Sequence, residues 1–291
     1  METSELLKKV RKIEIKSRGL TRHIFAGQYH SAFKGKGIAF SEVREYQYGD
    51  DIRSIDWNVT ARLRHPFIKV FDEERELTVM LLIDVSASNQ FGTQVQFKQE
   101  LITEIAAVLA FSAINNNDKV GVVFFSDKVE KFIPPKKGSS HILRIVSELL
   151  NFKPQQKGTD ISEVLRFITN AIKKRSTVFL LSDFMTSKFE DALKIANSKH
   201  DLVALRIFDP RETELPNVGL MKVMDAESGK QEWMDTSNSN LRAMYARQWK
   251  QHEAYLKDIV SKSGVDMVQI TNGEDYVKPL LKFFKMRGAR H

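Results

Sequence analysis

Thr78-Val79-Met80-Leu81-Leu82-Ile83-Asp84-Val85-Ser86-Ala87-Ser88 decides the fold. A continuous run of large aliphatic residues ends abruptly in one carboxylate and two hydroxyls. Such a run is the mark of a strand covered on both faces, as strands of a parallel sheet are. A second run, Thr177-Val178-Phe179-Leu180-Leu181-Ser182, closes on Asp183. Open α/β sheets bind ligands at the carboxyl ends of their strands. Both aspartates therefore fall where a binding site is expected.

Outward from these runs the same grammar repeats. Strands are expected at 120–125 and 202–208, and helical patterns at 94–116, 139–151, 161–174 and 187–198. Alternating strand and helix implies right-handed crossovers and a doubly wound, mostly parallel sheet. A hairpin around Ser228-Gly229, a long helix at 239–262, a strand at 265–270 and a last helix near 275–286 complete an α/β domain over 77–291. Residues 1–76 read differently. A short amphipathic helix over 3–17 is followed by segments punctuated by Gly27, Gly35, Gly37 and Gly49, with a strand at 67–71. They form a mixed N-terminal extension.

The chain has 291 residues, no cysteine and a net charge of +8. Thiolate metal sites, disulfides and cysteine nucleophiles are excluded. No stretch reaches the ~18 apolar residues of a membrane helix, and the N-terminus lacks an apolar signal core. A cytoplasmic protein without a transmembrane segment is expected. The basicity sits in the tails: residues 1–22 carry seven Lys/Arg against three Glu, and residues 278–291 carry five Lys/Arg and no acid. No aromatic–basic interleaving marks a specific nucleic-acid surface.

Thr159, in Lys157-Gly158-Thr159-Asp160, lies in the loop before the helix at 161. With Asp84, Ser86, Ser88 and Asp183 it makes an all-oxygen set. An isolated Asp-x-Ser-x-Ser serves equally well as a helix cap. Its combination with Thr159 and Asp183 at one sheet edge favours a hard cation, Mg²⁺ first, with Mn²⁺ or Ca²⁺ as alternatives. Two carboxylates and three hydroxyls leave a coordination position that an acidic residue of a partner could fill.

The pattern Asp84-x-Ser86-x-Ser88, Thr159, Asp183 resembles the metal-ion-dependent adhesion site of von Willebrand factor A domains. The upstream stretches Gly35-Lys36-Gly37-Ile38-Ala39-Phe40, Arg44-Glu45-Tyr46 and Gly49-Asp50-Asp51-Ile52-Arg53-Ser54-Ile55-Asp56-Trp57 are similar to the signature of the bacterial family called domain of unknown function 58. Ala61-Arg62 and Lys69-Val70-Phe71 continue it. The resemblance implies a von Willebrand factor A/Rossmann-like fold and a non-catalytic module that partners a MoxR-type AAA+ ATPase. It implies Ser86, Ser88 and Thr159 as direct ligands, with Asp84 and Asp183 acting directly or through water.

The charged segment holding Asp50, Asp51, Arg53, Asp56, Trp57 and Arg62 is either a partner-binding surface or a set of ion pairs that orders the extension, with structure the favoured role. The seven histidines are scattered without a zinc-type pair. No phosphate-cradling loop and no Gly-x-Ser-x-Gly elbow is present. The competing reading is a Mg²⁺-dependent phosphatase or phosphotransferase with Asp84 as nucleophile.

Overall fold

A computed structural model describes residues 3–21, 29, 32–33, 39–72, 77–87, 98–186, 188–224 and 230–289. In chain order its elements begin with α1 (Thr3–Leu20), β1 (Ala39–Glu45), α2 (Trp57–Leu63), β2 (Phe67–Asp72), β3 (Thr78–Asp84), α3 (Lys98–Asn115), β4 (Lys119–Phe125) and β5 (Val129–Lys136). There follow α4 (Ser139–Asn151), α5 (Ile161–Ala171), β6 (Thr177–Ser182), α6 (Glu190–Lys199), β7 (Asp201–Phe208), β8 (Leu220–Met224) and β9 (Gln231–Asp235). The last are α7 (Ser239–Lys262), β10 (Asp266–Thr271) and α8 (Val277–Gly288). Two compact units result: residues 1–33 with 78–291, and residues 34–77.

The larger unit is built on a six-stranded sheet of order β10-β7-β6-β3-β4-β5. Counted along the chain, these strands stand in the doubly wound order 3-2-1-4-5-6, whose switch point falls between β3 and β6. All pairings are parallel except β4 with β5. Met80, Leu82, Val178 and Leu180 form one buried layer with Leu165 and Ile168 of α5, Leu193 of α6 and Leu256 of α7. Strand side chains alternate between faces, and Val79, Leu81 and Ile83 are buried as completely. The sheet is covered on both faces, which explains why its strands read as unbroken apolar runs.

The sequence does not announce β5, because Pro134-Pro135 argues against a strand. Its place at the sheet edge accommodates both prolines, since an edge strand has donors to spare. Gly121 is required where β4 passes between neighbours: a Cβ there would lie 2.7 Å from Met80 Sδ and 2.9 Å from the Pro135 nitrogen.

The expected extension over 1–76 is divided by the structure. Residues 1–33 belong with the α/β unit. Val10 and Ile13 of α1 are buried, and α1 packs on α3 and α4. Lys16 Nζ meets Glu104 of α3 at 2.5 Å, and the Arg18 guanidinium lies over the Phe111 ring. Further on, Phe33 stacks edge-on against Phe179 and Phe284, with Arg287 over its ring. A helix pattern with a basic outer face does not reveal what its apolar stripe covers, so this packing was not readable from residues 3–17.

The smaller unit contains β1 and β2, paired antiparallel, and α2. β1 is the other strand that the sequence did not reveal.

Candidate metal centre

β3 and β6 run in register, Ile83 opposite Leu181. Asp84 and Ser182, next along each strand, therefore leave the sheet side by side at the switch point. Ser182 Oγ donates to Asp84 Oδ2 at 2.6 Å and accepts from Phe184 N at 3.0 Å. Asp84 Oδ1 accepts from Ser86 N at 2.9 Å, which folds the chain after β3 back toward the strand end. Asp183 Oδ1 accepts from Met185 N at 3.1 Å. Phe184 holds a left-handed φ of 59°, costly for an aromatic residue. Its conformation is fixed by the Ser182 contact, by complete burial and by His252 Nε2, 2.9 Å from its carbonyl oxygen.

Three loops close over this point. Ala87 N donates to Lys157 O at 3.1 Å, and Thr186 Oγ1 donates to Thr159 O at 3.2 Å. Asp160 N donates to Ser126 O, and the Asp160 side chain caps α5 through Glu163 N at 3.1 Å. Thr159 is thereby held between the loops that follow β3 and β6. The structure brings Asp84, Ser86, Thr159 and Asp183 to one end of the sheet; Ser88 lies outside the described residues.

Asp84, Ser86 and Asp183 are at most 2% exposed. Burial pushes the Asp84 carboxyl up to about 7; the neighbouring charge of Asp183 adds to the rise, and hydrogen bonds from Ser182 and Ser86 oppose it. Two carboxylates this deeply placed are relieved by a proton on one of them or by positive charge beside them. Among the described residues no three His, Asp or Glu side chains gather as a metal cluster. An ion at this point would instead draw on two carboxylates, hydroxyls and water. That donor set fits Mg²⁺, which keeps part of its water shell.

The sequence reading missed a second group of polar residues beside Asp183. Lys98, the first residue of α3 and fully buried, places Nζ 3.6 Å from Asp183 Oδ2 and 2.5 Å from Glu212 Oε1. Glu212 Oε2 accepts from Asp209 N at 3.1 Å, while Asp209 Oδ2 accepts from Asn272 Nδ2 at 3.0 Å. Arg206 of β7 is buried too, over the rings of Phe208 and Trp249 and 3.9 Å from Glu253. The sequence analysis did not single out the capping box Asp209-Pro210-Arg211-Glu212, and nothing in the sequence around Lys98 pointed to the site.

The smaller unit uses its acids locally. Asp50 takes a bidentate bond from Arg44, 2.8 Å on each side, and this contact holds the carboxyl below its usual range. Asp51 caps the 3₁₀ turn Ile52–Ser54 through Arg53 N, and Asp56 caps α2 through Asn58 N and Val59 N. Arg53, Trp57 and Arg62 are exposed.

The family model described as protein of unknown function DUF58 matches residues 42–255. This chain belongs to the DUF58 family. Among its relatives, the uncharacterized protein Rv1480 of Mycobacterium tuberculosis is 26% identical over 295 residues, spanning 99% of this chain and 92% of the relative. Among solved structures, an aerotolerance-related membrane protein from Bacteroides fragilis matches with a TM-score of 0.52 at 16% identity, covering 74% of this chain and 100% of that one. The conserved hypothetical protein BatB from Bacteroides thetaiotaomicron matches with a TM-score of 0.50, also at 16% identity and with the same coverage. These likenesses show the fold, and this DUF58 chain has the doubly wound, mostly parallel α/β organisation its strand order describes. Among its described residues no helix is long and apolar enough to cross a membrane.

Proposed function

We propose that this DUF58 protein is a non-catalytic, Mg²⁺-dependent protein-interaction module. The observation that carries the reading is the pair of buried carboxylates, Asp84 and Asp183, brought together at the switch point with Ser86 and the Thr159 loop around them. A bound Mg²⁺ would supply a Lewis-acidic centre open to one further oxygen ligand. Asp84, Ser86, Ser88, Thr159 and Asp183 would hold it, and a partner's Asp or Glu would complete its coordination.

The partner class we favour is a MoxR-type AAA+ ATPase or its client, in the cytoplasm, with Mn²⁺ or Ca²⁺ as alternative ions. A contact role fits Asp84 better than nucleophilic attack does. Its two oxygens are held by Ser86 N and Ser182 Oγ, and the side chain is 1% exposed. The test is capture of a purified MoxR-type ATPase on the immobilised protein, with Mg²⁺ and with EDTA, beside a generic phosphatase assay. Capture that EDTA abolishes, without turnover, is the expected result. Turnover abolished by Asp84→Asn would assign the site to catalysis instead, and capture indifferent to EDTA would remove the metal from the contact.

A further inference from the structure

The switch-point crevice already contains a cation of the protein's own. Lys98 is fully buried, and its ammonium stands 3.6 Å from Asp183 Oδ2, an oxygen that the expected ion would also need. The same ammonium lies at 2.5 Å from Glu212 Oε1. Glu212 is itself fixed: its other carboxylate oxygen accepts from Asp209 N, and Asp209 is anchored by Arg211 N and Asn272. Lys98 thus has a strong, rigid partner on one side and a longer contact to the candidate ligand on the other.

We propose that Lys98 is a tethered counter-ion that competes with the divalent metal for Asp183 and sets the metal affinity of the site. This inference rests on the metal-site reading above. Without metal, Lys98 balances Asp183. When metal binds, Asp183 turns to the ion and Lys98 stays with Glu212. The incoming dication must enter beside this fixed positive charge and that of Arg206, and like charges at close range in a buried crevice oppose one another. The site is thereby kept from holding metal tightly by itself. A partner's carboxylate would add the negative charge that Lys98 offsets, so metal and partner would bind cooperatively.

Lys98 is a positioning residue in this scheme, acting on the metal through Asp183 and not through the partner protein. A purely structural Lys98, serving only to neutralise Glu212, would leave metal affinity unchanged when lysine and glutamate are removed together. The experiment is a Mn²⁺ titration, read by electron paramagnetic resonance and by calorimetry, on the full chain. It compares wild type, Lys98→Met, and the charge-balanced pair Lys98→Met with Glu212→Gln; the pair guards against loss of fold from a single buried charge. Circular dichroism checks folding of each.

The expected result is Mn²⁺ binding at least tenfold tighter in whichever of the two variants is folded than in wild type. Tight binding in a variant with none in wild type would also support the inference, while overturning Mg²⁺-dependent function of the natural chain. Equal or weaker binding in folded variants, with wild type binding, would overturn the role of Lys98 and leave the metal site standing. No binding in wild type or in the folded variants would overturn both.

Discussion

Two regions of this molecule gather aspartates, and they use them in opposite ways. At the switch point of the larger unit, Asp84 and Asp183 are buried next to each other, and burial lifts the Asp84 carboxyl far above its ordinary value. In the smaller unit, Asp50, Asp51 and Asp56 lie near solvent and meet Arg44 or the first backbone N–H groups of a turn and a helix. The first arrangement sets Lys98 beside Asp183 and disfavours the charged form of Asp84, which a further cation would relieve. The second satisfies each carboxylate where it stands. An aspartate's neighbours in sequence do not distinguish the two cases; its neighbours in space do.

The largest expected difference between the two regions is in partner capture. Ser86→Ala with Asp183→Ala is expected to lower Mg²⁺-dependent capture of the ATPase at least a hundredfold while keeping the far-ultraviolet spectrum. Asp50→Asn with Asp51→Asn is expected to leave capture within about twofold. Equal losses from the two pairs would show that the regions do not differ as described.

A second difference lies in metal-linked stability. A ligand that binds only the folded state adds about 2.7 kcal/mol when present at a hundred times its Kd. Denaturant unfolding of the wild type should show a gain of that order between EDTA and saturating Mg²⁺. The gain should vanish in Asp183→Ala and persist in Asp56→Ala.

The two regions should also carry pH slopes of opposite sign. The Asp84 carboxyl titrates at about 7 in the folded chain and near 3.9 unfolded. In EDTA its contribution to stability is fully present below about pH 4 and is lost as the pH rises toward about 7. Asp50 is shifted downward by its Arg44 contact. Its contribution is present above about pH 3.9 and is lost as the pH falls through its folded value. Unfolding curves of Asp84→Asn and Asp50→Asn against wild type, from pH 3 to 8, separate the two. The stability difference between wild type and Asp84→Asn should shift in favour of wild type as the pH falls from 7 to 4. That between wild type and Asp50→Asn should shift against wild type below about pH 4.

The smallest effect is local. Asp56→Ala removes the cap of α2, a seven-residue helix. It should lower the melting temperature slightly and increase amide exchange at Asn58 and Val59, leaving Mg²⁺ binding untouched.

The sheet was legible because burial on both faces writes itself as unbroken apolar runs at β3, β4, β6 and β7. The position of Asp84 and Asp183 followed from those runs, since strand ends are where an open sheet binds. β5 stayed hidden behind Pro134-Pro135, and α1 hid its destination because an amphipathic stripe names no partner. Lys98 and Glu212 were illegible for a deeper reason. They are 114 residues apart in sequence, and each alone looks like a surface charge. Only the packing of α3 against the end of the sheet makes them a pair.

The most direct measurement is a calorimetric titration of the metal-free chain with Mg²⁺, with Asp183→Ala as control. One equivalent of Mg²⁺ per chain is expected in the wild type and none in the variant. Heat no different from dilution in the wild type, or equal binding in both proteins, would contradict it.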